Sequence, residues 1–138
     1  IKNDRHVLLS DYAHHPNEIY HSARSIRQLY QNRKITAIFQ PHLYTRTRDF
    51  YKEFADALSQ LDEVILCDIY PAREEPIPGV TSKLIYDNLK EGVEKSLISK
   101  DEVIGLVKER DFDVLIVLGA GDLDNQVPQI ANIIEAKQ

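Results

Sequence analysis

The sequence predicts an α/β fold in which a mainly parallel sheet is flanked by helices, giving three layers. Short apolar runs alternate with segments of helical spacing along the 138 residues, and this alternation is typical of crossover units between parallel strands. Polar loops follow the apolar runs, as they do at the carboxyl edge of such a sheet, where ligands bind. The length is that of one domain with a single core, so residues 1–138 are expected to form one unit.

The composition is that of an ordinary globular protein and disfavours several functional classes. Hydrophobic residues make up 43% and charged residues 28% of the chain, which argues against disorder. No apolar run approaches the roughly 18 to 20 residues of a membrane span, and no signal peptide is recognisable, so a cytoplasmic location without membrane contact is expected. The net charge of −5, without a basic block, disfavours nucleic acid as a partner.

Cys67 is the only cysteine in the sequence, and it lies in an apolar segment. A single cysteine excludes an internal disulfide and disfavours a cysteine-based zinc site. Its apolar neighbours favour a position in the core over a reactive thiol.

The first half of the chain is predicted to contain three strands and two helices. Apolar runs indicate strands over residues 6–10, 35–39 and 64–69. Pro16 is expected in the first turn of the first helix, where its missing N–H would have no partner. Thr47 is a candidate N-cap of the second helix. The apolar faces are formed by Ile19, Ala23, Ile26 and Tyr30 in the first helix and by Phe50, Phe54, Ala57, Leu58 and Leu61 in the second.

The second half begins with an irregular segment and ends in a helix. Residues 70–79 contain three prolines and one glycine, which favours an ordered loop without regular structure. The remaining elements are, in order, a helix capped by Thr81 or Ser82, a brief strand over 93–98, a helix started by a capping box from Ser99 to Glu102, a strand over 114–118 and a helix carrying Val127, Ile130, Ala131 and Ile134.

Chemically capable loops follow the predicted strands at residues 11–15, 42–48, 73–79 and 119–122. Because the carboxyl ends of parallel strands meet at one edge, we expect these loops to form one site. The last loop begins Gly119-Ala120-Gly121, which either lets backbone approach a ligand closely or forms only a tight turn. The sequence has no G-x-x-x-x-G-K-[ST] motif, so the phosphates of a bound nucleotide would be held by another part of the protein.

The first loop, Asp11 to Pro16, combines an acid, an aromatic ring and two adjacent imidazoles. Asp11, His14 and His15 could ligate a metal ion, although adjacent histidines seldom bind the same ion. Alternatively, Asp11 and one histidine could cap the following helix. The favoured interpretation is contact with a ligand, with Tyr12 offering a flat face and Asp11 an acceptor for ribose hydroxyls.

Arg46 is the candidate for anion recognition in the second loop. It lies beside His42 and Tyr44, and its guanidinium fork suits a carboxylate or a phosphate. Arg48 is instead expected to be solvated or paired with a nearby acid such as Asp49.

Four blocks of the sequence carry a resemblance when they are taken together. They are Asp11-Tyr12-Ala13-His14-His15-Pro16-Asn17-Glu18, residues 39–49 (FQPHLYTRTRD), residues 70–79 (YPAREEPIPG) and Gly119-Ala120-Gly121-Asp122. In this order they resemble the C-terminal domain of the Mur ligases of bacterial peptidoglycan synthesis. The second and third blocks are similar to members that add L-alanine to UDP-N-acetylmuramate. The alternative within the family is a murein-peptide ligase used in recycling.

The resemblance implies a Rossmann-like C-terminal domain of a three-domain, ATP-dependent ligase. Its partners would be an N-terminal domain for the UDP-sugar and a central domain with the phosphate loop and the Mg²⁺ ligands, so the chain alone is expected to be inactive. The complete protein would use ATP and Mg²⁺ to phosphorylate the carboxylate of UDP-N-acetylmuramate. The amine of L-alanine would then attack the acyl phosphate.

The resemblance also assigns residues to two ligands. Tyr12 would pack near the adenine of ATP, with Asp11 and His14 near the ribose and His15 beside them. Arg46 would grip the carboxylate of L-alanine. The residues implied on the substrate side are His42, Tyr44, Arg46, Gly119, Ala120 and Gly121.

Some family members carry a second arginine where this chain has Leu43, so a clamp of two arginines is not expected. Two interpretations from other functional classes compete with the ligase. One is a non-catalytic nucleotide-binding module that uses the same loops. The other is a metal hydrolase built on Asp11, His14 and His15, whereas the family resemblance assigns no metal ligand to this chain.

Overall fold

A five-stranded parallel sheet forms the centre of the structure, a computed structural model that describes residues 6–137. The strands are β1 (Val7–Asp11), β2 (Ile35–Phe39), β3 (Glu63–Leu66), β4 (Glu94–Leu97) and β5 (Val114–Leu118). Their order in the sheet is β1-β5-β2-β3-β4, and every pairing is parallel. The predicted sheet is therefore confirmed. No helix in this described part of the chain is long and apolar enough to cross a membrane.

Five helices cover the two faces of the sheet. They are α1 (Pro16–Leu29), α2 (Tyr44–Leu58), α3 (Lys83–Asn88), α4 (Val103–Glu109) and α5 (Val127–Ala136), with 3-10 turns at Lys100–Glu102 and Asp122–Gln126 leading into the last two. Helices α1, α2 and α3 pack on one face of the sheet, and α4 and α5 pack on the other. This is the three-layer arrangement that alternating strands and helices predict.

The two faces of the sheet carry separate apolar clusters because side chains alternate along each strand. In β2, Ala37 and Phe39 belong to the cluster under α1 and α2, whereas Ile38 belongs to the cluster under α4 and α5. Strands β2 and β5 are buried at every position, which explains their continuous apolar runs. Edge strand β4 is mostly exposed and includes Glu94 and Lys95, charges that discourage pairing with a further strand.

Two predicted helix starts are confirmed. Helix α1 begins at Pro16. The predicted capping box is present, because the Asp101 N–H donates to Ser99 Oγ at 3.2 Å and the Ser99 N–H donates to Glu102 Oε1 at 3.0 Å. This box starts the 3-10 turn that continues directly into α4.

Helix α2 begins at Tyr44, so the prediction of Thr47 as its N-cap is wrong. Thr47 is fully buried, and its hydroxyl donates to the Leu43 carbonyl oxygen at 2.9 Å inside the first turn. The start of the helix is capped by Glu74, whose Oε1 accepts from the Thr45 N–H at 3.0 Å. An acceptor supplied from a distant loop allows the helix to begin one turn earlier than its own side chains indicate.

Strand β3 ends at Leu66, earlier than the end predicted at Ile69. The carbonyl oxygen of the next residue, Cys67, accepts a hydrogen bond from the Ser82 hydroxyl. A side chain thus supplies the donor that a backbone N–H of a neighbouring strand would supply within the sheet. Cys67 is 1% exposed, which confirms its predicted position in the core.

Ion pairs stabilise the edge of the sheet at which the parallel strands begin, which we call the amino edge. Arg110 donates two hydrogen bonds to Glu63 at 2.8 and 3.0 Å, and Arg27 donates one to Asp62 at 2.7 Å. Burial raises the pKa of Glu63, but the hydrogen bonds from Arg110 and the charge of Lys34 outweigh burial and leave this pKa below its ordinary value. The charged side chains of Arg27, Asp62, Glu63 and Arg110 at this edge thus form ion pairs with one another.

Candidate functional site

The loops that follow β1, β2 and β5 lie side by side because these strands are neighbours in the sheet. Asp11, Phe39 and Leu118 end the three strands in register. The loop after β3 joins them through a β-bridge between His42 and Tyr70. The structure thus brings the four predicted loops to one edge. We call residues 11–15, 40–46, 70–74 and 119–122 the edge site.

Asp11 is held at the end of β1 by two hydrogen bonds to its carboxylate. The Ala13 N–H donates to Oδ1 at 3.0 Å, and the Ser22 hydroxyl donates to Oδ2. Neither donor is a backbone N–H of the first turn of α1. Asp11 is therefore not a cap of this helix, whereas His15, one of the two histidines in that alternative, occupies the N-cap position. The Asp11 carboxylate is instead oriented by the loop and by the body of α1.

Glu18 satisfies the start of α1 instead. Its Oε1 accepts from the backbone N–H groups of His14 at 3.2 Å and His15 at 3.0 Å. These two hydrogen bonds lower the pKa of Glu18, and the bond from His14 has the larger effect. The Glu18 carboxylate is therefore charged at neutral pH. Glu18 thereby fixes the direction in which the two histidines leave the strand.

Aromatic and imidazole rings cluster at the edge site. The ring centroid of His14 lies 4.6 Å from that of His15 and 5.5 Å from that of His42, and His42 is stacked on Tyr70 at 5.3 Å. Tyr12 is 59% exposed, and its carbonyl oxygen lies 3.0 Å from His14 Nδ1. The cluster therefore links the first three loops and leaves the flat face of Tyr12 open to a ligand.

His42 and Arg46 each carry a buried polar atom without a protein partner. His42 Nδ1 and Arg46 Nη1 have no hydrogen bond within residues 6–137. Burial, followed by the nearby charge of Arg46, lowers the pKa of His42, so the ring is neutral at pH 7. Buried polar atoms are costly unless a ligand or water satisfies them. The pair is therefore suited to an anionic ligand group.

The backbone between these two residues is strained and held from both sides. Leu43 has a φ of +74°, which is rare for a residue other than glycine. Its N–H donates to the Tyr70 carbonyl oxygen at 2.8 Å, and its own carbonyl oxygen accepts from the Thr47 hydroxyl at 2.9 Å. These contacts fix the sharp change of direction between His42 and Arg46.

The glycines after β5 are required by packing within the chain. Gly119 has a φ of +134°, and a Cβ there would lie 2.8 Å from the Gln40 carbonyl oxygen. At Gly121 a Cβ would lie 2.6 Å from Tyr70 Cγ. Gln40 is itself buried, and its Oε1 accepts from the Leu123 N–H at 2.8 Å. The predicted contact of Gly119, Ala120 and Gly121 with a substrate stays a prediction.

Other candidates lie at the margin of the edge site. Tyr44 lines a separate cleft of about 740 Å³ at the carboxyl ends of β3 and β4, which His42 and Arg46 do not line. Asp122 forms an ion pair with Lys100. Arg48 forms its predicted pair with Asp49, with 2.8 Å between Nε and Oδ1.

Sequence reasoning missed three positioning residues, namely Glu18, Gln40 and Glu74. Glu18 stands three residues after His15, the spacing of a capping box, so the pattern was available. Gln40 had a weaker signal, as a polar residue directly after a buried strand. Glu74 had none, because the residue that it holds lies 29 positions earlier.

Within the described residues, one cluster has the composition of a metal site. It comprises His14, His15 and Glu18, whose ligand atoms all lie within 4.8 Å of one another. The predicted metal alternative used Asp11 in place of Glu18. Asp11 is not part of the cluster, and one of its carboxylate oxygens accepts from Ser22 on α1.

The fold and the edge site define a Rossmann-like α/β domain with a candidate ligand site at the carboxyl edge of its sheet. A family model described as Mur ligase, glutamate ligase domain, matches residues 1–121. The chain belongs to the Mur ligase family, as a C-terminal domain of that family.

Relatives and solved structures agree with this assignment. A UDP-N-acetylmuramate-L-alanine ligase from Phocaeicola vulgatus is 66% identical over 137 residues, which are 99% of this chain and 30% of the relative. The crystal structure of a UDP-N-acetylmuramate-alanine ligase from Thermotoga maritima matches with a TM-score of 0.73 and 26% identity, covering 96% of this chain and 27% of that one.

A domain assigned to a UDP-N-acetylmuramate:L-alanyl-gamma-D-glutamyl-diaminopimelate ligase from Haemophilus ducreyi shares the fold. It matches with a TM-score of 0.67 and 17% identity, over 94% of this chain and 92% of its own. The chain spans about 30% of the length of the curated relatives that it matches.

Proposed function

We propose that this chain is the C-terminal domain of a cytoplasmic, ATP-dependent ligase that joins L-alanine to UDP-N-acetylmuramate in peptidoglycan synthesis. The observation that carries the proposal is the 66% identity, over 99% of the chain, to a relative named UDP-N-acetylmuramate-L-alanine ligase. The recycling alternative has less support, because the Haemophilus ducreyi domain, assigned to a ligase for a peptide, is only 17% identical.

The proposed reaction has two steps. The carboxylate of UDP-N-acetylmuramate attacks the γ-phosphorus of ATP, and an acyl phosphate and ADP form. The amine of L-alanine then attacks the acyl carbon, and phosphate leaves as the amide forms. Mg²⁺ prefers oxygen ligands, and the metal-like cluster of the edge site contains two imidazoles. We therefore assign the Mg²⁺ ligands and the phosphate loop to the central domain, outside this chain.

In this proposal Arg46 and His42 bind the amino acid. Arg46 offers a buried guanidinium nitrogen, and His42 a buried nitrogen on a neutral ring, neither of which has a protein partner among the described residues. The carboxylate of L-alanine would accept charge-assisted hydrogen bonds from Arg46. Leu43 adds no second cation, so the grip on the carboxylate depends on this one guanidinium.

The first loop is proposed to contact the adenosine part of ATP. Tyr12 presents an exposed ring on which a base can stack. Asp11 is oriented by Ala13 and Ser22 and would accept from ribose hydroxyls. His14 and His15 lie beside it, held by the hydrogen bonds from their N–H groups to Glu18.

Closing this domain over the central one would complete the active site. Closure would exclude water from the acyl phosphate and so limit its hydrolysis. It would also place the amine of L-alanine in line with the acyl carbon, and such positioning is a large source of rate enhancement. The chain would thus act as a lid that carries part of the substrate site.

The test is Arg46→Ala in the full-length ligase that contains this sequence. The KM for L-alanine should rise at least about tenfold, as expected for the loss of a charged hydrogen bond, while ATP-dependent formation of the acyl phosphate continues. Arg48→Ala is the matched control, because Arg48 is two residues away and pairs with Asp49. Unchanged alanine kinetics in Arg46→Ala would remove this residue from the site.

The second candidate function is a non-catalytic nucleotide-binding module. Such a module would use the exposed ring of Tyr12 and the carboxylate of Asp11 without ligase chemistry. The parent reading frame separates the two candidates. A phosphate loop upstream supports the ligase, and its absence supports the binding module.

A further inference from the structure

We propose that His14, His15 and Glu18 form a binding site for one divalent transition-metal ion of the Zn²⁺ type. One nitrogen of each imidazole and one oxygen of the carboxylate lie within 4.8 Å of one another. Two imidazoles and a carboxylate are a ligand set that Zn²⁺ takes in proteins, with a fourth position left for water or another ligand. The site is separate from the Mg²⁺ of the ligase reaction.

The two histidines lie on the same side of the chain although they are adjacent in sequence. Neighbouring side chains on an extended backbone point in opposite directions, which is why adjacent histidines seldom share an ion. In this chain the backbone turns into α1 after His15, and the two ring centroids are 4.6 Å apart with planes tilted by 41°. Metal bonds of about 2.0–2.2 Å place ligand atoms roughly 3.4 Å apart. The three atoms lie within 4.8 Å of one another, and in the proposed site small rotations of the side chains bring them onto one ion.

Hydrogen bonds already hold two of the three ligands. Glu18 Oε1 accepts from the N–H groups of both histidines, which keeps the carboxylate in place. His14 Nδ1 lies 3.0 Å from the Tyr12 carbonyl oxygen. Contacts of this kind orient metal-binding imidazoles and strengthen the site.

The ligand types select the ion. Imidazole favours Zn²⁺, Co²⁺, Ni²⁺ and Cu²⁺, whereas Mg²⁺ and Ca²⁺ prefer sites built from oxygen atoms. His15 and Glu18 are exposed and His14 is half-buried, so an ion can enter directly from solvent.

A bound ion would compete with the nucleotide, and this consequence rests on the proposed function. The three ligands lie in the loop assigned to the adenosine part of ATP, beside the exposed ring of Tyr12. Zn²⁺ would fix this loop to the start of α1 and occupy the space beside it. Zn²⁺ would therefore inhibit the ligase without displacing Mg²⁺.

The test is a Zn²⁺ titration of the purified 138-residue chain by isothermal titration calorimetry. The corresponding domain from Haemophilus ducreyi has an ordered structure as a chain of nearly the same extent, so the chain can be used alone. We expect one Zn²⁺ per chain. With Co²⁺, visible absorption should intensify as the ion enters a four-coordinate site. Absence of a stoichiometric binding heat, or an unchanged Co²⁺ spectrum, would overturn the proposal.

His15→Gln is the decisive variant because it removes an imidazole and keeps the backbone N–H that Glu18 accepts from. Zn²⁺ affinity should fall at least about tenfold. His21→Gln is the matched control, since His21 is an exposed histidine of α1 outside the cluster, and it should leave the affinity unchanged. Equal affinity in the wild type and His15→Gln, or a loss in His21→Gln, contradicts the assignment.

A second measurement separates the metal site from the nucleotide assignment. In the full-length ligase, Zn²⁺ at its measured dissociation constant should raise the dissociation constant for ATP about twofold, the result of simple competition. If Zn²⁺ binds through the three ligands and ATP affinity does not change, the metal site stands and the adenosine assignment of this loop fails.

Discussion

Glu74 holds Thr45 by both of its carboxylate oxygens, although the two residues are 29 positions apart in sequence. One oxygen accepts from the Thr45 N–H at 3.0 Å, and the other accepts from its hydroxyl. The bonds join the loop after β3 to the first turn of α2. Arg46 is the next residue of that turn, so its direction depends on a carboxylate outside its own helix.

Replacing Glu74 should disturb Arg46 without removing it. In the proposed full-length ligase, Glu74→Gln should raise the KM for L-alanine several-fold and change the KM for ATP little, because the proposal assigns the two ligands to different loops. Glu75→Gln is the matched control, since Glu75 is exposed and adjacent. Equal effects of the two substitutions on the alanine KM would exclude this positioning role.

The same bond predicts a dependence on pH in the chain itself. The hydrogen bond from the Thr45 hydroxyl lowers the pKa of Glu74 below its ordinary value of 4.5, and hydrogen bonds from backbone N–H groups lower it further by a smaller amount. The stabilisation is thus present above the unfolded pKa and is lost as pH falls through the folded one. Hydrogen exchange, corrected for its intrinsic dependence on pH, should show that protection of the Thr45 amide decreases on acidification. Protection that does not change through this range would contradict the prediction.

Two glycine substitutions should change stability in opposite directions. Gly121→Ala places a Cβ 2.6 Å from Tyr70 Cγ, and overpacking of this kind costs about 1–3 kcal/mol. Gly105→Ala meets no atom within 4 Å and lies in helix α4, where alanine is favoured by about 0.5–1 kcal/mol. Urea denaturation measures both free energies of unfolding. A neutral Gly121→Ala would show that Tyr70 gives way at no cost.

Arg110→Ala should weaken the amino edge of the sheet. The partner, Glu63, is 7% exposed while Arg110 is 36% exposed, so we expect a loss of about 2 kcal/mol at pH 7, less than for a fully buried pair. Arg48→Ala breaks an exposed pair with Asp49 and should change the free energy of unfolding little. Chemical denaturation of the two variants gives the comparison.

Acid should affect the wild type more than Arg110→Ala. The pKa of Glu63 is lowered in the folded chain from an ordinary value of 4.5. The stability that the pair supplies is therefore present above that value and disappears as pH falls through the folded pKa. Without Arg110, the hydrogen bonds and the charge that lower the pKa of Glu63 most strongly are removed. The decrease in the free energy of unfolding on acidification should therefore be smaller in Arg110→Ala. An identical pH dependence of unfolding in both proteins would refute the account.

Cys67 should react with thiol reagents only when the chain unfolds. Burial first, and then the negative charges of Asp68 and Glu102, raise the pKa of the Cys67 thiol to about 12. At neutral pH almost no thiolate is present, and the thiolate is the reactive form. Labelling in increasing urea should follow the unfolding transition measured by circular dichroism. Complete labelling in native buffer would show that the segment opens locally.

The sequence predicted what depends on local periodicity and on shared sheet geometry. The strands, the start of α1 at Pro16 and the meeting of four loops at one edge were of this kind. What it missed depends on residues far apart in sequence. Thr47 was mistaken for a helix cap because Glu74 supplies the cap from a loop 29 positions beyond Thr45, and no local pattern records that contact.

In the edge site too, the residue types were predicted from the sequence, whereas the contacts between distant residues were not. Its histidines and Arg46 were visible as residue types after strands, but their orientation was not. Asp11 was predicted to contact a ligand, with a helix cap as the alternative, and in the structure its carboxylate accepts from Ala13 and Ser22. The buried polar atoms of His42 and Arg46 stand on either side of the backbone turn at Leu43, whose N–H donates to the Tyr70 carbonyl oxygen of a distant loop.

The order of the strands has a consequence for how the molecule forms. Val7 of β1 pairs with Val114 of β5, and β5 also lies against β2. Strand β1 precedes the other described strands in this sequence, yet its only neighbour in the sheet is β5, the last of them, and closing so long a loop slows folding. Until β5 pairs with it, β1 is an unpaired strand, and such strands make folding intermediates prone to aggregation. Because Asp11 pairs with Leu118 of β5, we expect the loop that begins at Asp11 to become ordered only after β5 has joined the sheet.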